Sequence, residues 1–294
     1  MNGIKMRIKK IAAYIVAVML DVLFAGAFAG CAKNSGNVLE VGVGSWIRNT
    51  DYAYDVKNLE VEEMVLQDKV PYRNLSFLGR DYSLVYEKTL IYPIGDTVTD
   101  VYTDRTTGNS FEMLESGEVY RASFAKENGV KISLPGAEEQ QMQAALEPFV
   151  KELALPSQFT GWSFELSQIG GLYYAYWREK VGKTPTGNYV SFVLESDGTV
   201  KEISNAAARG QDYSGIEQTD INMYDDEITK KLKSAYSFSN CRGNCKYKSH
   251  TVSSEQLVKY KGETYFLCRV SIDTLDKSGK DYWSDSCELL VKAK

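Results

Sequence analysis

From about Tyr82 the chain alternates apolar and polar residues in short runs: YSLVYEKTLIYPI, TVTDVYTDR, NSFEMLE and EVYRASFA. Alternation of period two is the mark of half-buried strands, and Ser116-Gly117 supplies a turn between the last two. The period then changes. In AEEQQMQAALEPFVKEL, residues Met142, Leu146, Phe149, Val150 and Leu153 fall on one stripe, which predicts an amphipathic helix kinked at Pro148. Alternation returns in WSFELSQIGGLYYAYWRE, with Gly170-Gly171 at its centre, and in NYVSFVLESDGTVKEIS, with Asp197-Gly198; both read as hairpins. DDEITKKLKSAY predicts a second helix with Ile228, Leu232 and Ala235 on one face. Its acids lead and its lysines follow, in keeping with the helix dipole. QLVKY, TYFLCRVSI and YWSDSCELLV then read as strands, with Lys261-Gly262 as a turn. Upstream, LEVEEMVL fits helix and strand templates equally, and no helix is read before Tyr82.

The second hairpin can be laid on the earlier one. Thr107-Gly108-Asn109 recurs as Thr186-Gly187-Asn188, Leu114-Glu115-Ser116 as Leu194-Glu195-Ser196, and Gly117 and Val119 as Gly198 and Val200. The offset is about 80 residues with a small insertion. The order helix, then meander of strands, predicts an α+β protein of tandem helix-on-antiparallel-sheet modules, since a helix across one sheet face buries both apolar surfaces. The expected divisions are a signal peptide at 1–30, a tether at 31–50, a mostly β unit at 51–136, a helix-plus-meander unit at 137–205, and a C-terminal unit of the same kind at 216–294. This order, with its TG…G-x-V hairpin, resembles the PepSY-like modules of bacterial envelope proteins over about residues 82–294. The resemblance implies a small module used in tandem, often membrane-tethered, that binds peptides or modulates peptidases rather than catalysing.

The N-terminus carries an address. Lys5, Arg7, Lys9 and Lys10 precede an apolar run from Ile11 to Ala29, and Phe28-Ala29-Gly30-Cys31 closes it. That is the order of a secretory signal. Cys31 after two small residues resembles a bacterial lipobox, which implies cleavage before Cys31 and acylation of its thiol. Phe28 departs from the usual Leu. Asp21 interrupts the apolar run and disfavours the alternative of an uncut anchor, because a mid-membrane Asp costs roughly 2.5–3.5 kcal/mol; ordinary secretion is the third reading. All three place residues 32–294 outside the cytoplasm, and the expected location is the cell membrane through a lipid anchor. Without residues 1–30 the chain has 30 basic and 38 acidic residues, a net charge of −8. With no basic stripe, nucleic acid is not an expected partner; a peptide or envelope protein is.

Setting Cys31 aside leaves Cys241, Cys245, Cys268 and Cys287, an even number that favours disulfides in an exported chain. Alternation puts Cys268 opposite Cys287 on adjacent antiparallel strands, leaving Cys241 and Cys245 to close the CRGNC loop. Packed thiols and a four-cysteine zinc site are the competing readings. Catalytic signals are poor and no cofactor is expected. His250 is the chain's sole histidine. Ser123 and Lys126 match a Ser-x-x-Lys spacing, but on an apparent strand, where that chemistry wants a helical turn. GVGS at 42–45 lacks the third glycine of a dinucleotide loop. Tyr173, Ala175 and Trp177 share one strand face assigned to the core, which leaves Tyr174 and Tyr176 outward as a ligand surface. The function expected is a tethered binding or peptidase-modulating protein without catalysis; the alternative is a hydrolase of envelope polymers.

Overall fold

The structure, a computed structural model, describes residues 53–55, 59–125, 129–134, 138–153, 162–217, 219–236 and 245–294. The signal, the tether, Cys31, Lys126 and Cys241 lie outside the described residues. Two compact units divide the chain. Val61–Lys180 and Thr186–Asp212 belong to the first. Val181–Pro185, Tyr213–Lys294 and the described residues before Val61 belong to the second.

In the first unit, strands β4 (Arg80–Tyr92), β5 (Thr97–Asp104), β6 (Ser110–Met113) and β7 (Val119–Ser123) form an antiparallel meander. Short strands β2 (Glu62–Met64) and β3 (Tyr72–Phe77) both pair with β4, so the ambiguous LEVEEMVL run contributes a strand. Helix α1 (Glu139–Glu152) follows, then a second meander of β8 (Ser163–Ile169), β9 (Leu172–Val181), β10 (Thr184–Glu195) and β11 (Val200–Asn205). Gly170 and Gly171, at φ +59° and +82°, make the two-residue turn that closes Ile169 on Leu172, a backbone region where a Cβ is penalised.

The two meanders join through β7 and β11, which run antiparallel. Their register explains the sequence repeat. Phe111 pairs with Ala122 and Met113 with Val119; Phe192 pairs with Ile203 and Leu194 with Val200. A bulge sits at the same place in both hairpins, between Glu112 and Met113 and between Val193 and Leu194. Residues 110–123 therefore superimpose on 191–204 without a gap. Met113 is the counterpart of Leu194, which corrects the match of Leu114-Glu115-Ser116 to Leu194-Glu195-Ser196 by one residue. Across the junction Ala122 pairs with Ile203, its own counterpart, and Arg121 pairs with Ser204 as Glu202 pairs with Ser123. Such self-reciprocal pairing is the signature of a local two-fold axis, here internal to one chain.

The second unit is a sheet in the order β1 (Ala53–Asp55), β14 (Asp281–Lys292), β13 (Glu263–Leu275), β12 (Lys246–Tyr260), all antiparallel. Helix α2 (Asp225–Ala235) buries Ile228, Leu232 and Ala235 against Leu257, Phe266, Val270, Ile272 and Leu289. Its first turn holds Asp225, Asp226 and Glu227 at the positive end of its dipole.

The expected α+β class of tandem helix-on-sheet modules is overturned: the chain is mostly β, and α1 and α2 are the α-helices among the described residues. The reason is dimensional. A helix of 14 residues is about 21 Å long and about 10 Å wide, which covers about two strands. The first unit strings β2 to β11 into its sheet. Met142, Leu146 and Val150 of α1 enter its core, but Leu84, Tyr102, Phe111, Trp177, Phe192 and Ile203 from the strands dominate it. Pro148 is accommodated inside α1.

The expected bond between Cys268 and Cys287 is also corrected. The strands are adjacent and both residues are buried, but Cys268 faces Leu289 and Cys287 faces Val270, so both remain thiols. Diagonal neighbours lie about 7–8 Å apart, beyond the reach of a disulfide. Cys245 is disulfide-bonded, and its partner lies outside the described residues.

Candidate functional site

Alternation gives the first sheet two faces. One carries Tyr102, Phe111, Ala122, Ile203 and Phe192 into the core. The register sets two rows of residues on the other: Thr103, Ser110, Ser123, Glu202, Val193, and alongside them Val101, Glu112, Arg121, Ser204, Ser191. Arg121 and Glu202 are counterparts under the local two-fold, so one position has become basic and its image acidic.

Arg121 is only 4% exposed. Its Nη1 donates to Glu112 Oε1 at 3.0 Å, and its Nε lies 3.9 Å from Glu202 Oε1. Glu112 also accepts from the Tyr92 hydroxyl at 2.7 Å and from Thr99 Oγ1 at 3.3 Å. Burial works against the Arg121 charge, but Glu112, Tyr92 and Glu202 hold it protonated, above its ordinary value. Glu202 is pushed up by burial, which outweighs the Arg121 charge beside it.

Beyond this centre lie tyrosines and two more arginines. Arg178, 6% exposed, donates from Nε to Glu165 at 2.9 Å and lies 4.3 Å from the Tyr176 ring centre and 6.0 Å from that of Tyr189. Cation–π contacts of this kind are worth roughly 0.5–2 kcal/mol. Arg209 sits 5.8 Å from the Tyr120 ring and donates to the Ala206 and Gly187 carbonyls, which ties the segment after β11 to β10. Burial pushes the Tyr189 hydroxyl up to about 12.

Of the two tyrosines expected to be exposed, Tyr174 is half-buried and Tyr176 is buried. The outward assignment of Tyr176 is corrected: it is on the face opposite Trp177, but Arg178 and Tyr189 cover it. Trp177 packs in the core between Phe164 and Phe192, with ring centres 4.6 and 6.0 Å away. Trp177→Ala is expected to cost about 3–5 kcal/mol in urea denaturation, and Tyr174→Ala about 1 kcal/mol or less. A larger loss for Tyr174→Ala than for Trp177→Ala would invert the two faces.

Arg121, Glu112, Glu202 and Arg178 escaped sequence reasoning. Each is a polar residue at an alternate strand position, the pattern of an ordinary wet face, and nothing local marks it as buried. Ser123 sits on this face, half-buried, between Ser110 and Glu202; Lys126 is outside the described residues. Among the described residues no group of three or more His, Cys, Asp or Glu side chains is placed to hold a metal ion. Nor is any described helix long and apolar enough to cross a membrane.

His250 occupies a separate cluster in the second unit. Its Nε2 lies 3.3 Å from Asp225 Oδ1 at the start of α2, and the Tyr247 hydroxyl lies 2.9 Å from its Nδ1. Burial lowers its pKa below the ordinary 6.5, with Asp225 opposing. The folded state therefore binds the proton more weakly than the unfolded one. Stability is full above pH ~6.5 and declines as pH falls from there towards the folded pKa. The chain's sole histidine makes the Cε1 proton resonance a direct readout: its midpoint is expected below 6.5, and a midpoint above it would reverse the sign.

No protein family, characterised protein or solved structure matches the chain in sequence or fold.

Proposed function

We propose that this is a lipid-anchored protein facing outside the cytoplasm, acylated at Cys31, which binds an extended peptide on the polar face of its first sheet without cleaving it. One observation carries the binding role: Tyr174 is half-buried on the sheet face where buried Arg178 packs against Tyr176 and Tyr189, so an aromatic side chain is presented on a fixed support. Tyrosine gives large contact area with few rotors and is enriched where proteins recognise one another. The alternative of a hydrolase needs two acids poised for proton work. Glu112 is poorly suited to that, because Arg121, Tyr92 and Thr99 already engage its oxygens.

The test is a library of extended hexapeptides offered to the purified chain, with binding read by thermal shift and integrity by mass spectrometry. The expected result is binding without cleavage, weakened in Tyr174→Ala and unchanged in Tyr72→Ala, a control 71% exposed on β3. Cleaved peptides would favour the hydrolase, and equal effects of the two variants would remove the face. For the anchor, Cys31→Ala is expected to abolish labelling of cells' protein by radioactive palmitate; persistent labelling would refute acylation there.

A further inference from the structure

The first unit's sheet ends on β8, which pairs with β9 on one side and with no strand among the described residues on the other. The hydrogen-bonding phase of this hairpin follows from its turn. Gly170 and Gly171 both take positive φ, the type I′ form, in which the closing pair Ile169 and Leu172 exchange both backbone bonds. Bonded and non-bonded pairs then alternate, so Ser167, Glu165 and Ser163 spend their backbone groups on Tyr174, Tyr176 and Arg178. The N–H and C=O groups of Phe164, Leu166 and Gln168 therefore point away from β9, along the open edge. Natural sheets guard such edges with bulges, prolines, lysines or brevity. Strand β8 uses none of these. Its register runs unbroken over seven residues, and SFELSQI carries one charge, Glu165, turned to Arg178 and Lys180 of β9. The opposite edge of the sheet is divided between the short strands β2 and β3.

We propose that the open edge of β8 is where the backbone of the bound peptide attaches, joining the sheet as an added antiparallel strand. This rests on the reading of the first sheet as a peptide-binding surface and goes further by fixing where the main chain docks and which side chains it carries. An open edge offers donors and acceptors at the spacing of a strand, and an extended peptide satisfies them in order. Residues paired across a ladder share a face. Peptide residues opposite Phe164 and Leu166 therefore lie on the core side, where those half-buried side chains pack, and are expected to be apolar. The residue between them turns to the polar face beside Glu165. The residue opposite Ser167 lies beside a small side chain whose own partner on β9 is Tyr174. The edge thus selects an extended segment of alternating apolar and polar residues. Size separates this occupant from a second copy of the chain. Seven strand residues span about 23 Å, enough for a hexapeptide, whereas pairing over that length alone falls short of the roughly 1,200 Å² of a stable interface.

The test takes a hexapeptide that binds in the library and methylates one backbone nitrogen at a time. Calorimetry is expected to show an alternation of period two. Methylation of amides that face β8 weakens binding about three- to tenfold, the loss of one hydrogen bond, and methylation of the intervening amides changes it by less than about twofold. On the protein, Gln168→Pro removes one outward N–H at an exposed residue and leaves the bonds to β9 in place. It is expected to weaken the peptide about three- to tenfold, while Gln168→Ala, which keeps the N–H, binds as the unaltered chain does. The methylation series decides the matter should Gln168→Pro fold poorly. A series without alternation would overturn strand addition and leave the face standing. Self-association that Gln168→Pro abolishes, in place of peptide binding, would assign the edge to a second copy. If no peptide in the library binds, both readings fall together.

Discussion

Gly198→Ala is expected to destabilise the first unit by roughly 3–5 kcal/mol, and Gly117→Ala by only about 1–2 kcal/mol. The two glycines are counterparts in the repeated hairpins, at φ +84° and +96°. The backbone penalty for a side chain is therefore shared. Their surroundings are not. A Cβ on Gly198 would stand 1.9 Å from the Ile132 carbonyl oxygen, whereas one on Gly117 would meet only the tip of Arg73 at 4.0 Å. Ile132 has no room to withdraw. Its N–H donates to the Gly198 carbonyl at 2.9 Å, and the Val200 N–H donates to Val130 at 2.8 Å. Relief at residue 198 must break that attachment. Urea denaturation followed by tryptophan emission compares the variants directly, and equal losses would show that the contact with residues 130–132 is not what constrains Gly198.

Arg121→Ala is expected to cost about 3–5 kcal/mol near pH 7, the usual penalty for leaving a buried charge without its partner. Glu112 would keep only Tyr92 and Thr99. The double variant Glu112→Gln, Arg121→Met removes both charges and is expected to recover much of the loss. Acidity supplies an independent readout. Burial raises the Glu202 pKa and Arg121 opposes that rise, so without Arg121 the folded-state pKa of Glu202 lies further above its unfolded value and the folded state of the variant binds the proton more tightly. The deficit is then smallest at low pH and grows as pH rises through the folded pKa. A deficit that is constant from pH 4 to 8 would mean that lost packing around the arginine, not charge, dominates.

Several elements could be read from residue order because they rest on local geometry. The stripe Ile228, Leu232, Ala235 needs only the helical period. Gly170-Gly171 needs only the positive φ of a tight turn, and Trp177 inward with Tyr176 on the reverse face needs only the alternation of a strand. The cysteine pairing shows where this stops. Alternation puts Cys268 and Cys287 on one face, but a shift of two residues leaves every side chain on the same face. Parity is legible and register is not. The structure chooses the register in which Phe266 meets Val291 and Cys287 meets Val270.

What residue order determined about this protein is therefore which residues share a helix stripe, a strand face or a turn, together with an internal repeat between two hairpins. What tertiary structure decided is how those pieces close on one another. The repeated hairpins meet at Ala122 and Ile203, a strand contact 81 positions apart, which sets Arg121 beside Glu202 and makes a candidate binding face from residues patterned as solvent-exposed. The first unit's sheet outgrew the helix packed on it, so the described residues are mostly β rather than a set of two-layer modules. Both outcomes depend on pairing between distant strands, whose hydrogen bonds join backbone groups common to all residues. Side-chain pattern restricts such pairing to the correct face, and only the packing of the whole unit selects the partner and the register.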